Sequence, residues 1–446
     1  MSNFIQNLTQ LEEEKQQKTL NLIASENYPS SKVLELLGSH WSNKYGEGYP
    51  GKRYYAGNEF TDKLESFAQE KALKVFGPKD NSFEIGEEYG VNVQTLSGSP
   101  ANRTVFLTAL KNGDKILSPK LSDGGHLTHM HEVSIMKKFF EPINYSVKEV
   151  APNDYEIDVD DIKEKILTHQ PALLILGFSS YTKQYKFAEL CEFAHQNQVM
   201  VLADVAHING IIAAGLHDSP FKKGIYGADF VSMTTHKTFR GPRSAMLFSK
   251  KYLPDWVTKN LEALPKNSKN KEVSGLDEAI NRCIFPGGFG GPHFNKIAAM
   301  AQACLEILGE DQHPDGISFL DYSKKTLENT KALENSLKEN GLEIISPTQN
   351  HLCLVKLPED KDSLEIQKKL EKIGIICNRN VIPFDPKTAW KPSGLRLGMP
   401  ALTSRGADLE ISKKIGQIIS DSIFDKKSEE VLIAEVKTIV DGLGWW

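Results

Sequence analysis

The chain has 446 residues, 40% of them hydrophobic and 25% charged, and a formal net charge of −5. That length supports two or three structural units with sizeable cores. The mild acidity gives no electrostatic reason to expect a nucleic acid or an anionic membrane as partner, and no apolar run approaches the ~20 residues of a membrane span.

The first twenty-two residues are rich in Gln and Glu, with Phe4, Leu8, Leu11, Leu20 and Leu22 loosely at helical spacing, which predicts an arm or surface helix. Glu12, Glu13 and Glu14 stand where a secretory signal would need a basic-then-apolar order. From about Leu96 the texture becomes α/β. A helical stretch at Asn102–Leu110, opened by Ser97-Gly98-Ser99, precedes a strand at Lys115–Ser118. Ala172–Phe178 and Val199–Ala203 are apolar throughout, as parallel strands covered on both faces should be, and Phe187–Gln196 between them has helical periodicity. Further strands are expected at Phe230–Met233 and Ala245–Ser249. Gly-rich Pro286–Pro292 then leads into a long helix at Asn295–Leu308, a join between units. The last 140 residues alternate charged helices (Ser323–Asn340, Ser363–Ile373) with short strands (Leu342–Ile345, Leu352–Lys356, Ile375–Cys377), an α+β pattern. Pro78–Gly90, Lys137–Asp154 and Lys266–Glu272 are polar and are expected to be surface insertions. Three ranges result: an N-terminal arm over 1–40, a large unit over 41–293 and a small C-terminal unit over 294–446. The five scattered cysteines, Cys191, Cys283, Cys304, Cys353 and Cys377, form no C-x-x-C pair, so reduced thiols in a cytoplasmic, metal-free protein are expected.

Five short segments carry chemistry. Lys237, in Thr234-Thr235-His236-Lys237-Thr238, follows an apolar strand. A lysine there is either a solvated strand-end residue or a Schiff-base nucleophile made reactive by desolvation. Asp204 ends the strand Val199–Ala203, and open parallel sheets place ligands at the carboxyl ends of their strands. A carboxylate at that point either caps a helix or pairs with a pyridinium nitrogen and keeps it protonated. Ser97-Gly98-Ser99 enters a helix, as an ordinary serine cap or as a phosphate cradle built from exposed N–H groups. His126, after Gly124-Gly125, is either a satisfied turn histidine or a flat ring free to stack on an aromatic cofactor. Arg396, in Gly394-Leu395-Arg396-Leu397-Gly398, either pairs with a core acid or grips a substrate carboxylate bidentately. Together the five provide an imine lysine, a pyridinium partner, a phosphate cradle, a ring stack and a carboxylate clamp, which is the set a pyridoxal-phosphate enzyme acting on an amino acid needs.

From about Asn21 to Gly406 the sequence resembles the serine hydroxymethyltransferase family. The resemblance is carried by Leu22-Ile23-Ala24-Ser25-Glu26-Asn27-Tyr28, by Asn43 through Tyr55 (NKYGEGYPGKRYY), by Thr235-His236-Lys237-Thr238, by Gly241-Pro242-Arg243 and by Ser393–Pro400. It implies an α/β fold of the aspartate-aminotransferase-like, fold-type I pyridoxal-phosphate class, with a mainly parallel sheet in the large domain and a smaller α+β C-terminal domain. It also implies cleavage of the Cα–Cβ bond of serine, with the one-carbon unit passed to tetrahydrofolate. By the same resemblance Lys237 would carry the cofactor, Asp204 would pair with its ring nitrogen, and His126 would stack on the ring. Ser179 and His207 would contact the phenolic oxygen, and Ser97, Gly98, Ser99 and His236 the phosphate, with Tyr45 and Gly291 reaching it from a second subunit. Ser25, Tyr55 and Arg396 would bind the amino-acid substrate. Glu47 would be the acid/base, and Glu47, Tyr54, Leu121, Gly125 and Asn380 would meet the folate. The implied assembly is a homodimer with a shared site, or a tetramer built from it. Asp123, Met130, Phe289 and Arg379 depart from the family pattern, and the departures at Asp123 and Phe289 leave open a related aldolase-type paralogue acting on another β-hydroxy or α-substituted amino acid.

Overall fold

The computed structural model describes residues 3–254, 256–257, 272–388 and 390–445. The expected insertion at Lys266–Glu272 falls, except for Glu272, outside these residues. A seven-stranded sheet is formed by β1 (Tyr89–Asn92), β2 (Lys115–Pro119), β3 (Glu141–Tyr145), β4 (Leu173–Leu176), β5 (Met200–Asp204), β6 (Phe230–Thr234) and β7 (Ala245–Lys250). Its order is β1-β7-β6-β5-β4-β2-β3. The pairs from β6 to β3 are parallel, and β7 runs antiparallel to both its neighbours. Every residue of β4, β5, β6 and β7 is buried, because helices cover both faces of the sheet and leave no solvated side for polar residues to fill.

A second, four-stranded antiparallel sheet comprises β8 (Glu343–Ile345), β9 (Leu352–Lys356), β10 (Asn378–Asn380) and β11 (Gly394–Gly398), in the order β8-β9-β11-β10. Its core takes in Leu333 and Leu337 from the helix Phe319–Glu339, and Ile415 and Ile419 from the helix Leu409–Ile423. Leu20 and Leu22 are buried in that same core, and Leu20–Asn21 pairs in parallel with Ile375–Ile376 as a separate two-stranded sheet, so the N-terminal segment shares the core of the C-terminal sheet. The helix Phe4–Gln17 itself has no buried residue, as its polar composition suggests. The helix Phe294–Leu308, read from sequence as the join and the start of the small unit, lies instead in the core of the first sheet and packs on Glu59–Phe76.

Lys137–Asp154 is more than a surface insertion. It supplies the edge strand β3, whose Tyr145 is fully buried with its hydroxyl donating to the Ile175 carbonyl at 2.9 Å, and it begins the hairpin Val147–Ala151/Asp154–Ile157. The sequence Glu-Pro-Ile-Asn-Tyr is too polar to announce a strand, which an edge position tolerates. Pro78–Gly90 likewise holds a short helix, Ile85–Glu88, and the start of β1.

Candidate active site

The parallel pairing of β5 with β6 sets Asp204 opposite Ser232, so the chain leaves both strands at the same edge of the sheet. Asp204 is the last residue of β5, and Lys237 stands three residues beyond β6. Gly177 makes the strand ends fit closely, since a Cβ there would come within 2.2 Å of the Asp204 carbonyl oxygen. The lysine loop is fastened from below: Asn209 donates to the Thr234 carbonyl at 2.6 Å, and the Thr238 hydroxyl lies 3.0 Å from both the His207 carbonyl and Asn209 Oδ1.

Above this edge lies a cavity of about 480 Å³. Ser25, Ser97, Gly98, Ser99, His126, Ser179, Asp204, His207, His236, Lys237 and Arg396 all line it, drawn from seven separate stretches of sequence. Asp204 is held there by three donors. Asn102 Nδ2 reaches Oδ2 at 2.8 Å, His129 Nε2 reaches the same oxygen at 2.9 Å, and the Ala206 N–H meets Oδ1 at 3.1 Å. Burial alone would raise its pKa. The hydrogen bond and field of His129, with His126 and Asn102, outweigh that and hold the carboxyl well below the usual range. His129 Nδ1 accepts the His126 N–H at 3.1 Å, which makes Nε2 the protonated nitrogen that serves Asp204.

Burial brings the Lys237 ammonium down to about 8, with Arg396 and Arg243 adding to the fall and Asp204 opposing it. Burial also lowers His126 to about 4 and His236 to about 3, so both imidazoles are neutral at pH 7. His126 Nδ1 accepts the Thr128 N–H at 3.2 Å, which leaves the proton of the neutral ring on Nε2. Arg396, brought down to about 10 by burial, sits on β11 of the second sheet. Its Nε donates to Asn378 Oδ1 at 3.1 Å and its Nη1 to the Ser179 carbonyl at 2.7 Å. The clamp is therefore carried by the C-terminal sheet and braced against the strand-end loop of the first.

The remaining expected residues are not in this cavity. Tyr45, Glu47, Tyr54 and Tyr55 cluster elsewhere on the same chain: the Tyr45 hydroxyl donates to Glu47 at 2.9 Å, the Tyr45 and Tyr55 rings meet edge-on at 5.0 Å, and Tyr54 touches Phe285. Gly291 belongs to this group, since a Cβ there would fall 2.7 Å from the Tyr45 ring. Gly125 is buried in the turn below His126, its N–H donating to the Lys120 carbonyl at 2.9 Å, and the Leu121 carbonyl accepts the Gly124 N–H in the same turn. Asn380 Nδ2 reaches Ser180 Oγ at 3.2 Å, next to Ser179.

The four departures from the family pattern also lie outside the cavity lining. Asp123 is buried and turned into the protein, where Oδ2 accepts the Val147 N–H at 3.2 Å and anchors the hairpin. Met130 takes a left-handed φ of 66°. Phe289 packs against the hydrophobic cluster on one face of the main sheet, and Arg379 donates to Gln367 at 2.9 Å and to the Trp390 carbonyl at 2.7 Å. Sequence reasoning missed Asn102, His129 and Arg243 as site residues. Asn102 was discoverable, because it lies one helical turn after Ser99 on the same face.

A family model described as serine hydroxymethyltransferase matches residues 2–419. A protein of that name from Borrelia duttonii is 38% identical over 433 residues, covering 97% of this chain and 96% of the relative. One from Desulfotalea psychrophila is 38% identical over 438 residues, covering 98% and 92%, and one from Caenorhabditis briggsae is 39% identical over 424 residues, covering 94% and 77%. The chain belongs to the serine hydroxymethyltransferase family. That family is of the fold-type I pyridoxal-phosphate class and transfers hydroxymethyl groups with tetrahydrofolate as co-substrate.

The residues present fit that cofactor. His236, which lines the cavity, has its Nδ1 buried without a hydrogen-bond partner among the described residues, and the Gly98 and Ser99 N–H groups fall in the first turn of a helix, which offers them no acceptor. A Cβ on Gly98 would come within 2.8 Å of Thr234 Cγ2, so only glycine allows this approach. The donors left over are those a phosphate would satisfy.

Proposed function

We propose that this chain interconverts serine and glycine, passing a one-carbon unit to or from tetrahydrofolate, with pyridoxal phosphate on Lys237. The observation that carries the reading is the convergence of a buried, partly deprotonated lysine, an ionised carboxylate with two side-chain donors, and an arginine whose Nη2 has no partner among the described residues, all around one cavity. When bound, the cofactor supplies an electron sink for the bonds at the substrate's Cα. The protein does the rest. Asn102 and His129 keep Asp204 ionised, so that it can hold a proton on the ring nitrogen. Ser97, Gly98, Ser99 and His236 would receive the phosphate, His126 would stack on the ring, and Ser179 and His207 would contact its phenolic oxygen. Lys237, brought down to about 8, exists in part as the free amine at neutral pH, so it can act as nucleophile and later as base without a large protonation cost. Arg396 Nη2 and Ser25 take the substrate carboxylate.

The site is completed by a second copy of the chain. Tyr45, Glu47, Tyr54, Tyr55 and Gly291 form a group of their own away from the Lys237 cavity, and Tyr45, Tyr54 and Tyr55 are exposed at 52%, 75% and 47%. In a symmetric homodimer, or a tetramer of two such dimers, this group faces the partner's cavity, with Glu47 at the substrate hydroxyl and Tyr54, Leu121, Gly125 and Asn380 around the folate. The chain divides into a large cofactor-binding unit and a smaller C-terminal unit, the first extending through Leu308. We place the protein in the cytoplasm; no helix among the described residues is long and apolar enough to cross a membrane. The test is conversion of serine to glycine by the purified protein loaded with pyridoxal phosphate. Glycine formation that requires added tetrahydrofolate supports the reading, and cleavage at the same rate without it contradicts the one-carbon transfer.

A further inference from the structure

The segment that brings Ser25 to the cavity also carries Asn27, whose amide is fully engaged. Nδ2 donates to the carbonyl of Lys237 at 2.8 Å and to the Tyr322 hydroxyl at 2.8 Å. Oδ1 accepts the Tyr28 N–H at 2.9 Å and the Ser404 hydroxyl at 2.7 Å. An amide has two donor hydrogens and two acceptor lone pairs, and all are used. Its orientation is fixed, because the Lys237 carbonyl can only accept and the Tyr28 N–H can only donate.

Three elements thus meet at one side chain: the lysine loop, the helix Phe319–Glu339 through Tyr322, and the helix Pro400–Ser404 through Ser404. The Lys237 carbonyl has a second donor, the Arg240 N–H at 3.1 Å, and Arg240 holds a left-handed φ of 58° with its guanidinium over the Tyr322 ring at 4.3 Å and an ion pair to Asp315 at 2.8 Å. The same N-terminal segment is clamped against the strand of Arg396, where the Gly398 N–H donates to the Leu22 carbonyl at 2.8 Å. The lysine that would carry the cofactor and the arginine that would hold the substrate are therefore referenced to one short stretch of chain.

We infer that Asn27 is a positioning residue: it fixes the Lys237 peptide, and with it the angle at which the amine enters the cavity, relative to the C-terminal elements that carry the substrate clamp. The inference rests on Lys237 being the cofactor lysine. Asn27 touches neither substrate nor cofactor, so its loss acts through Lys237. A displacement of ~1 Å at a reacting amine is enough to cost on the order of 10–100-fold in rate.

The test uses the full chain with Asn27→Asp and Asn27→Ala. Asn27→Asp is isosteric and keeps both acceptor contacts while losing both donors. Cofactor-free protein is mixed with pyridoxal phosphate, and the rate of cofactor uptake and the pH midpoint of the bound cofactor's visible band are recorded, followed by kcat and KM for serine. Both variants are expected to take up cofactor about tenfold more slowly and to move the midpoint by about half a pH unit or more, with kcat about tenfold lower and KM within about threefold of the parent. Uptake within about twofold of the parent and an unmoved midpoint overturn the inference, as does failure of Asn27→Asp to fold, which would make Asn27 merely structural. Lys237→Ala is run in parallel. A visible band that persists in that variant removes the assignment of the lysine itself, whereas a lost band with unaffected Asn27 variants removes only the role of Asn27.

Discussion

Replacing Lys237 with methionine in the cofactor-free protein should make it more stable at pH 7. The fall of the lysine from 10.5 to about 8, set first by burial, corresponds to ~3 kcal/mol against its charged form, at about 1.4 kcal/mol for each tenfold change in proton affinity. The folded value lies below the unfolded one. The penalty is therefore fully present below about pH 8, shrinks as pH rises from about 8, and is gone above 10.5, where the amine is neutral in both states. For a chain of 446 residues the unfolding entropy is ~0.9 kcal/mol per degree, so the penalty amounts to ~3 °C in Tm. Scanning calorimetry on Lys237→Met and the parent between pH 6.5 and 10.5 measures the difference directly. Methionine should lead by about 3 °C at neutral pH, with the lead closing towards pH 10.5. A constant lead across that range, or a variant less stable than the parent at pH 7, would refute the claim that desolvation tunes this amine. Cofactor must be absent throughout, because its binding to the folded state stabilises the parent alone.

His129→Leu removes one of the two side-chain donors on a buried carboxylate, which should cost ~1–3 kcal/mol. Asp204 has its folded pKa depressed, so it contributes stability above its unfolded value of 3.8 that is lost as pH falls through the lower folded value. With His129 gone that contribution shrinks, and acid unfolding followed by circular dichroism should begin at a higher pH. Arg396→Lys keeps the charge but loses the fork, so steady-state kinetics should show KM for serine raised ~10–100-fold with a smaller change in kcat. An unchanged KM would place the substrate carboxylate elsewhere. Glu47→Gln and Lys237→Ala, each inactive alone, should recover about a quarter of parental activity when mixed and allowed to exchange subunits, because half the dimers then hold one intact shared site. No recovery after demonstrated exchange would mean that each chain builds its own site.

The strands of the main sheet were legible because covering both faces forces apolar runs, and Leu173–Leu176 and Met200–Asp204 stand out from their neighbours for that reason. The edge strand β3 was not, since half its surface is solvated and its residues need not be apolar. Lys237, Asp204 and the Ser97–Ser99 turn could be named because their chemistry follows from residue type at a strand end or helix start, and Arg396 because a lone arginine stands between apolar residues and glycines in Gly394–Gly398. Asn102 and His129 could not be assigned to Asp204, because no spacing along the chain says that positions 102, 129 and 204 converge. Asp123 shows the same failure. It stood out only as a departure from the family pattern, and its part as the buried anchor of the hairpin, through the Val147 N–H, is set by a contact 24 residues away that no local pattern announces.

Lys237 is the residue proposed to hold the cofactor. Protein loaded with pyridoxal phosphate, reduced with borohydride and digested, can be mapped by mass spectrometry for the phosphopyridoxyl group. The label is expected on the peptide containing Thr234–Thr238, at Lys237. A label on any other lysine, or none on a protein that binds the cofactor and turns over serine, would contradict the assignment.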